Sequence, residues 1–431
     1  MFLLKDAVVI VAGRRTPFVR AGEDLRETSV DVLATACTRD LIDHSGIDSR
    51  LVSELILGCC AQPPDRANPA RVVSLRAGLP VSTPAFTVAR NCASGMQAIV
   101  DAEYRVLQDS VAVVLAGGAE SMSRIPLLFP LSFGFKLASL SRARSLSEKL
   151  GGWTQFRWSD LKPRIGLLEG LKDPFSGELM GDTAERLARE WGISRSAQDQ
   201  FSIESHRRAI ANRKSLSEEI SPFAIPPHMD KLLTEDIGPR DKIDPAKVSR
   251  IRPYFDKRMG TVTVANSCGI TDGAAMLLLM RESKANDLGL QPLARIISSG
   301  FSGCDPLRMG LGPVHAMAKV LRETNLQLRD MEIVELNEAF AAQVLACQEA
   351  LQSPSYSREA GFSETPGGID SQRLNPEGGA IAIGHPVGAS GARIVLSLAR
   401  KLNTLGGGHG IATMCIGGGQ GGAVLLEGIA S

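Results

Sequence analysis

No excess of charge of either sign marks this chain: 48 Lys and Arg stand against 47 Asp and Glu, a formal +1 at pH 7. The molecule as a whole therefore carries no field that draws in nucleic acid or repels an anionic substrate, and any basic site has to be local. No uncharged apolar run approaches the roughly 20 residues of a membrane-spanning helix. A signal peptide is not expected either, because Met1-Phe2-Leu3-Leu4 is interrupted at once by Lys5-Asp6. Cysteine is present but unpaired in pattern: Cys37, Cys59, Cys60, Cys92, Cys268, Cys304, Cys347 and Cys415 include no Cys-x-x-Cys. A chain this long has no need of disulfide staples, so reduced thiols in a cytoplasmic setting are expected. The adjacent Cys59-Cys60 closes the apolar run Leu55-Ile56-Leu57 and does not by itself make a tetrahedral site, so no metal is expected.

What is present is enough for a large core. With 431 residues, 44% apolar and 22% charged, two or three packed domains are expected. Residues 7–13 read as a buried strand, 30–44 as a helix with apolar Val30, Leu33, Ala34, Cys37 and Leu41 at helical spacing, 54–58 as a strand, 63–78 as a helix and 111–118 as a strand. This alternation predicts a layered α/β domain. The middle changes character. Residues 126–166 hold Phe129, Phe133, Phe135, Trp153, Phe156 and Trp158. The same stretch has seven cations (Lys136, Arg142, Arg144, Lys149, Arg157, Lys162, Arg164) against Glu148 and Asp160. It reads as a basic, aromatic insertion with three possible fates: a cover for a phosphate-bearing ligand, a dock for a membrane or a protein partner, or a solvated face. Helices are expected at 180–191 and 197–213, and a loop excursion at 222–253. The second half then repeats the first in outline, with strands at 294–298, 332–336, 410–415 and 423–426 and helices at 313–324 and after Gly388-Ala389-Ser390-Gly391. The echo of Ala93-Ser94-Gly95 in Ala389-Ser390-Gly391 supports an internal duplication.

Four stretches carry chemistry. In Arg90-Asn91-Cys92-Ala93-Ser94-Gly95 a cysteine follows an apolar run and precedes a helical pattern. The unpaired N–H groups and the dipole of a helix start are expected to favour its thiolate. Asn337-Glu338-Ala339-Phe340 leaves a strand and opens a helix. His385 lies between Gly384 and Pro386 on a tight loop, as a general base requires. A strand delivers Cys415 into Gly417-Gly418-Gly419, whose freed N–H groups can stabilise an oxyanion. Gly417, Gly419 and Gly422 formally match a dinucleotide fingerprint, but a strand rather than a helix is expected to follow, so that reading is rejected.

Together these stretches resemble the thiolase family: Cys92 matches its nucleophile motif, residues 337–340 its NEAF motif, residues 384–386 its GHP motif and residues 415–419 its CxGGG motif. Gly260-Thr261-Val262-Thr263 and Asp272-Gly273-Ala274-Ala275 match a further family stretch. The resemblance spans residues 5–428 in order. It implies a five-layered αβαβα fold from two duplicated βαβαβαββ halves with an inserted loop domain. The division implied is 1–120, continued at 256–285, for the first half, 121–255 for the insertion and 286–431 for the second half. Residues 180–185 and 265–267, the basic insertion and the long stretch 353–373 also resemble the thiolase subunit of trifunctional fatty-acid oxidation complexes. Asn337 departs from that group, which usually has histidine there. Cys268 replaces a serine, and Leu179 a histidine, that many thiolases carry.

The activity implied is thiolytic cleavage of a 3-ketoacyl-CoA in fatty-acid β-oxidation, with formation of acetoacetyl-CoA by an acetyl-CoA acetyltransferase as the alternative and a catalytically idle subunit as a third reading. Catalytic roles fall on Cys92 (nucleophile), His385 (base) and Cys415 (acid/base). Asn337, through a water, and the N–H of Gly417 would serve oxyanions. Met180, Arg240, Cys268, Ala339 and Phe340 would line the coenzyme A site. Coenzyme A is implied as a co-substrate, with no tightly bound cofactor. Also implied are a homodimer or dimer of dimers, and a possible contact of 126–166 with a membrane or a β-oxidation partner.

Overall fold

The structure, a computed structural model, describes residues 6–430. The first half begins with β1 (Val8–Arg15), α1 (Val30–Ser45), β2 (Glu54–Gly58), α2 (Pro69–Arg76), β3 (Ala85–Val88), α3 (Ser94–Leu107) and β4 (Val113–Glu120). Local chemistry sets these limits. Gly46, with φ 68°, ends α1 in the left-handed conformation that glycine adopts without strain. Asn68 caps α2 by accepting from the N–H of Arg71, and Pro69 fills its first turn.

Between β4 and the next core strand the chain makes a long excursion. It contains α4 (Leu131–Arg142), α5 (Leu146–Trp153), α6 (Met180–Glu190) and α7 (Arg195–Ala211). The stretch 126–166, read above only as an insertion, thus carries two helices, the second fixed by a Ser145/Glu148 capping box. The excursion is anchored to the core by Arg15. Its fully buried guanidinium meets Glu219 at 2.5 Å and Asp236 at 2.7 Å.

The chain returns with β5 (Thr271–Arg281), whose Leu277, Leu278 and Leu279 are wholly buried. Each contributes about 1.5–3 kcal/mol by leaving water. The second half follows: β6 (Ala294–Gly303), α8 (Gly312–Thr324), β7 (Met331–Leu336), α9 (Ala341–Gln352), α10 (Val387–Thr404), β8 (His409–Ile416) and β9 (Gln420–Gly428).

The strands run β7-β8-β9-β6-β1-β5-β4-β2-β3. Read outward from the β1/β6 junction, the two halves have the same order. Helices α1 and α2 cover the outer face of the first half, α8 and α9 that of the second, and α3 and α10 pack between them. These are the five layers. One strand of the duplication is nearly lost. The counterpart of β3 is a single bridge, Val334 to Leu374. There Asn375 turns to φ 44° and Pro376, lacking an N–H, follows. The Asn375 side chain substitutes for the missing ladder. Its Oδ1 accepts from Leu336 N and its Nδ2 donates to Leu336 O, both at 2.8 Å.

The Ala-Ser-Gly echo marks where the two central helices touch. A Cβ on Gly391 would come within 2.6 Å of the Met96 nitrogen, and one on Gly95 within 2.7 Å of the Gly388 oxygen. Only glycine permits this approach.

Candidate active site

Cys92 stands two residues before the first residue of α3. Asn91, at φ 42°, turns the chain there. The Ser94 hydroxyl fixes the turn, accepting from Arg90 N at 2.9 Å and donating to Asn91 O at 2.7 Å. The Asn91 amide donates to Gly417 O at 2.8 Å, joining the Cys92 loop to the Cys415 loop. The N–H groups of Gly417 and of Cys92 itself favour the thiolate, but burial outweighs them and pushes the thiol up. The expectation of a thiolate made by the helix start is thereby corrected. Cys92 lies outside the first turn, and desolvation of the charged form dominates.

His385 likewise stands two residues before α10. Gly384 precedes it at φ 115°, and a Cβ there would meet the Thr271 side chain at 2.5 Å. The imidazole Nδ1 lies 2.6 Å from the Ser390 hydroxyl, which is 3.0 Å from Pro386 O. The hydroxyl has one hydrogen, and the carbonyl can only accept it. The Nδ1 position therefore carries the proton and donates, leaving Nε2 with a free lone pair. Nε2 is buried without a hydrogen-bond partner. Burial first, then the Arg393 charge, holds the imidazolium pKa down to about 4, so the ring is neutral in the folded protein. The unfolded chain takes up that proton near pH 6.5. The stability this neutral ring contributes is present above that value and is lost as pH falls towards 4.

Cys415 is the penultimate residue of β8. The turn after it needs glycine: Gly418 and Gly419 have φ 88° and 80°. Cys415 packs with Ala184, Ala339, Phe340 and Met180. Burial, reinforced by the neighbouring Cys92, raises its thiol well above the ordinary value, so it holds its proton. The Asn337 side chain is 1% exposed, yet neither its Oδ1 nor its Nδ2 has a hydrogen-bond partner. A buried amide with both ends free marks a place for a polar guest. Glu338 locks the same turn, accepting from Ser205 Oγ at 2.6 Å, Asn375 Nδ2 at 2.9 Å and Ile381 N at 3.2 Å.

Residues 8–283 match the family described as "Thiolase, N-terminal domain", and residues 290–428 match "Thiolase, C-terminal domain". This chain belongs to the thiolase family. It is 37% identical over 426 residues to a 3-ketoacyl-CoA thiolase of Yersinia pestis, covering 98% of this chain and 97% of that one. Among solved structures it is similar to the Bacillus anthracis acetyl-CoA acetyltransferase, with TM-score 0.85, 35% identity and coverage of 98% and 99% of the two chains. It is also similar to human mitochondrial 3-ketoacyl-CoA thiolase in complex with CoA, with TM-score 0.84, 32% identity and 99% of each chain covered.

The remaining thiolase positions divide into two groups. Met180, Ala339 and Phe340 gather around Cys415. Cys268 joins them through its N–H, which donates to Ala339 O at 3.0 Å, and burial pushes its thiol up to about 12. Arg240 lies apart, on a cavity of about 310 Å³ that it lines with Arg20, His206, Ser267, Gly269 and Gly384. The two groups meet at His385, whose N–H donates to Gly269 O at 3.1 Å. Burial first, then the Arg240 charge, lowers the pKa of His206 to about 4, and His206 Nδ1 is buried without a partner.

Sequence reading did not single out Ser390 or Asn91, nor Glu120, whose buried carboxylate accepts from the N–H groups of Cys60 and Gly388, each at 3.0 Å. The only signal for Glu120 was a carboxylate after two glycines at a strand end. That strand was read as ending at 118 and in fact runs to Glu120.

Proposed function

We propose that this chain is a 3-ketoacyl-CoA thiolase of fatty-acid β-oxidation, working through a Cys92 acyl-enzyme. The observation that carries the reading is the placing of Cys92 and of His385, buried and bare at Nε2, each two residues ahead of one of the two central helices that cross at Gly95 and Gly391, with the Cys415 loop tied to the Cys92 loop through Asn91. His385 Nε2 takes the proton of Cys92, and the thiolate attacks the keto carbon of the substrate. The Cα–Cβ bond breaks. The acyl group stays on Cys92, and the electron pair leaves on the acetyl-CoA fragment as an enolate. Cys415 gives that carbon its proton. A second CoA then takes the acyl group: its thiol proton passes to the Cys415 thiolate, and the proton held by His385 returns to the departing Cys92 sulfur. The N–H groups of Cys92 and Gly417 stabilise the tetrahedral oxyanion. Protonated His385 and a water on the free amide of Asn337 stabilise the enolate. Met180, Cys268, Ala339 and Phe340 flank the pantetheine arm, and Arg240 meets the phosphate-bearing end. Coenzyme A enters and leaves as a co-substrate.

A rate series on 3-ketoacyl-CoA substrates from four to sixteen carbons tests the assignment. Thiolysis is expected across the longer chains. Activity confined to acetoacetyl-CoA would move the chain to acetyl-CoA acetyltransferase, the reading favoured by its likeness to the Bacillus anthracis enzyme.

We infer a cytoplasmic homodimer or dimer of dimers; an interface along β3, an edge strand whose four residues are only partly covered, supports the dimer. No helix among the described residues is long and apolar enough to cross a membrane. The α4–α5 region would instead lie on one. Neither helix has a buried residue, and Leu131, Phe135 and Trp158 are 80%, 72% and 89% exposed beside Arg142, Arg144 and Lys149. Apolar and cationic groups displayed together suit an anionic lipid surface. The protein is expected to sediment with phosphatidylglycerol vesicles and not with phosphatidylcholine ones. Arg142→Glu with Arg144→Glu is expected to weaken binding by about 30-fold or more, at about 1 kcal/mol for each cation lost. Unchanged sedimentation would rule out the membrane role, and unchanged KM for CoA and unchanged partner binding as well would leave 126–166 as a solvated face.

A further inference from the structure

Arg90 stands directly before the Asn91-Cys92 turn and is half-buried, yet it pairs with no carboxylate among the described residues. Neutral groups hold its guanidinium instead. Nε donates to Gln97 Oε1 at 2.5 Å, and Nη1 donates to Gln420 Oε1 at 2.7 Å. The central carbon of the guanidinium lies 4.1 Å from the centre of the Phe301 ring, whose face attracts a cation.

Each of these three partners is itself fixed. Gln97 Nε2 donates to Asp101 Oδ1 at 2.6 Å, one turn further along α3, which leaves Gln97 Oε1 turned to Arg90. Gln420 opens β9 and pairs with Gly303 at the end of β6. Phe301 lies on β6, and Gly422 leaves the room that its ring fills: a Cβ there would come within 2.8 Å of the ring and 2.9 Å of Met96 Sδ.

Arg90 thus crosses from one half of the chain to the other. Gln97 belongs to the helix after Cys92, and Gln420 to the strand after the Cys415 turn. The bond from Asn91 Nδ2 to Gly417 O makes a second crossing. The two crossings hold the two ends of the glycine turn. One bond alone would let the loops swing about it; two fix both spacing and angle. The turn between them is built of Gly417, Gly418 and Gly419, the last two at positive φ, and has no side chains of its own to set its place. Its registry with Cys92 has to be imposed by neighbours.

We propose that Arg90 is a positioning residue for acylation of Cys92: by bridging Gln97 and Gln420 it holds the glycine turn in register with the nucleophile loop, so that the N–H groups of Cys92 and Gly417 converge on one oxygen. The inference rests on the oxyanion role proposed for those two groups. They belong to opposite halves of the chain, so no short stretch of backbone sets the distance between them. An arginine suits this place because its planar fork reaches two acceptors in fixed directions while it stacks on a ring.

The test is a double-substitution cycle, read as the rate at which acetyl-CoA acylates Cys92, from the mass of the Cys92 peptide after rapid quenching. Arg90→Met keeps an apolar stem on Phe301 and removes both donors. Gln420→Met removes the acceptor on the far side. Each is expected to slow acylation by about 10-fold to 100-fold, the effect of a small misplacement, with KM for acetyl-CoA unchanged. The pair together is expected to be no slower than Arg90→Met alone, since one bridge can be broken only once. Losses that multiply would overturn the proposal, because the two side chains would then act separately. A raised KM with an unchanged acylation rate would make Arg90 a coenzyme A contact and would overturn it too. So would unchanged acylation in Gln420→Met, which leaves the Cys92 loop intact and decides the matter even where Arg90→Met does not fold. Failure of the thiolase reading itself would appear elsewhere, as absent turnover of every 3-ketoacyl-CoA by the unmodified protein.

Discussion

Cys415→Ala is expected to separate the two halves of the reaction. Acetyl-CoA should still acylate Cys92, because that step breaks no carbon–carbon bond and needs only the His385 lone pair and the N–H groups at the sulfur. Cleavage of acetoacetyl-CoA, and exchange of the α-protons of acetyl-CoA, should both fail, since each moves a proton at carbon. The loss of thiolysis is expected at roughly 10²–10⁴-fold or more, the range for a missing acid/base. The substitution removes one sulfur from a packed cluster of Ala184, Ala339 and Phe340, so the fold should hold. The measurements are the mass of the Cys92 peptide and the rate of acetoacetyl-CoA thiolysis. Equal loss of acylation and thiolysis would mean that Cys415 supports the Cys92 loop, to which Asn91 ties its turn. Retention of both would assign the proton to another group.

Cys92→Ser is expected to remove thiolysis by at least about 10⁴-fold, with no acyl-enzyme detectable after acetyl-CoA. The reason lies in the base. His385, neutral with a pKa of about 4, is weak, and it can draw a proton from a thiol far more readily than from an alcohol. Serine would also give an oxygen ester, which CoA attacks less readily than a thioester. Substantial activity in this variant would show that another residue is the nucleophile. Cys60, the thiol beside Asn91, would be the first to examine.

Much of this architecture is legible in the residues themselves. Glycines at 384, 418 and 419 announced loops that need positive φ, and all three adopt it. Apolar runs located several core strands to within two residues, but the one read at 294–298 runs on to Gly303, the one read at 423–426 spans Gln420–Gly428, and β5 was not read as a strand. The features that were not legible share a cause: burial depth is a property of packing, not of spacing. Cys92 before a helix suggested a charged sulfur, and only the packed chain shows that desolvation wins. Glu120 looked like the polar end of a strand until α10 was placed against it. Helices α4 and α5 give the opposite case. Their stretch is rich in Phe and Trp, yet neither helix has a buried residue. The Ala-Ser-Gly echo was read as a mark of duplication, and its packing role became clear only with Gly95 and Gly391 seen at one helix crossing.

That crossing has an evolutionary consequence. In a symmetric pair of identical half-length chains, any residue on the loop ahead of the central helix would occur twice, facing its own copy. Two cysteines or two histidines would meet there, but never one of each. Once both halves are written into one gene, each loop mutates alone. Cys92 and His385, each two residues ahead of its helix, are then free to become different kinds of group. The fused duplication breaks the twofold symmetry where an electron-pair donor and a proton acceptor must be unlike.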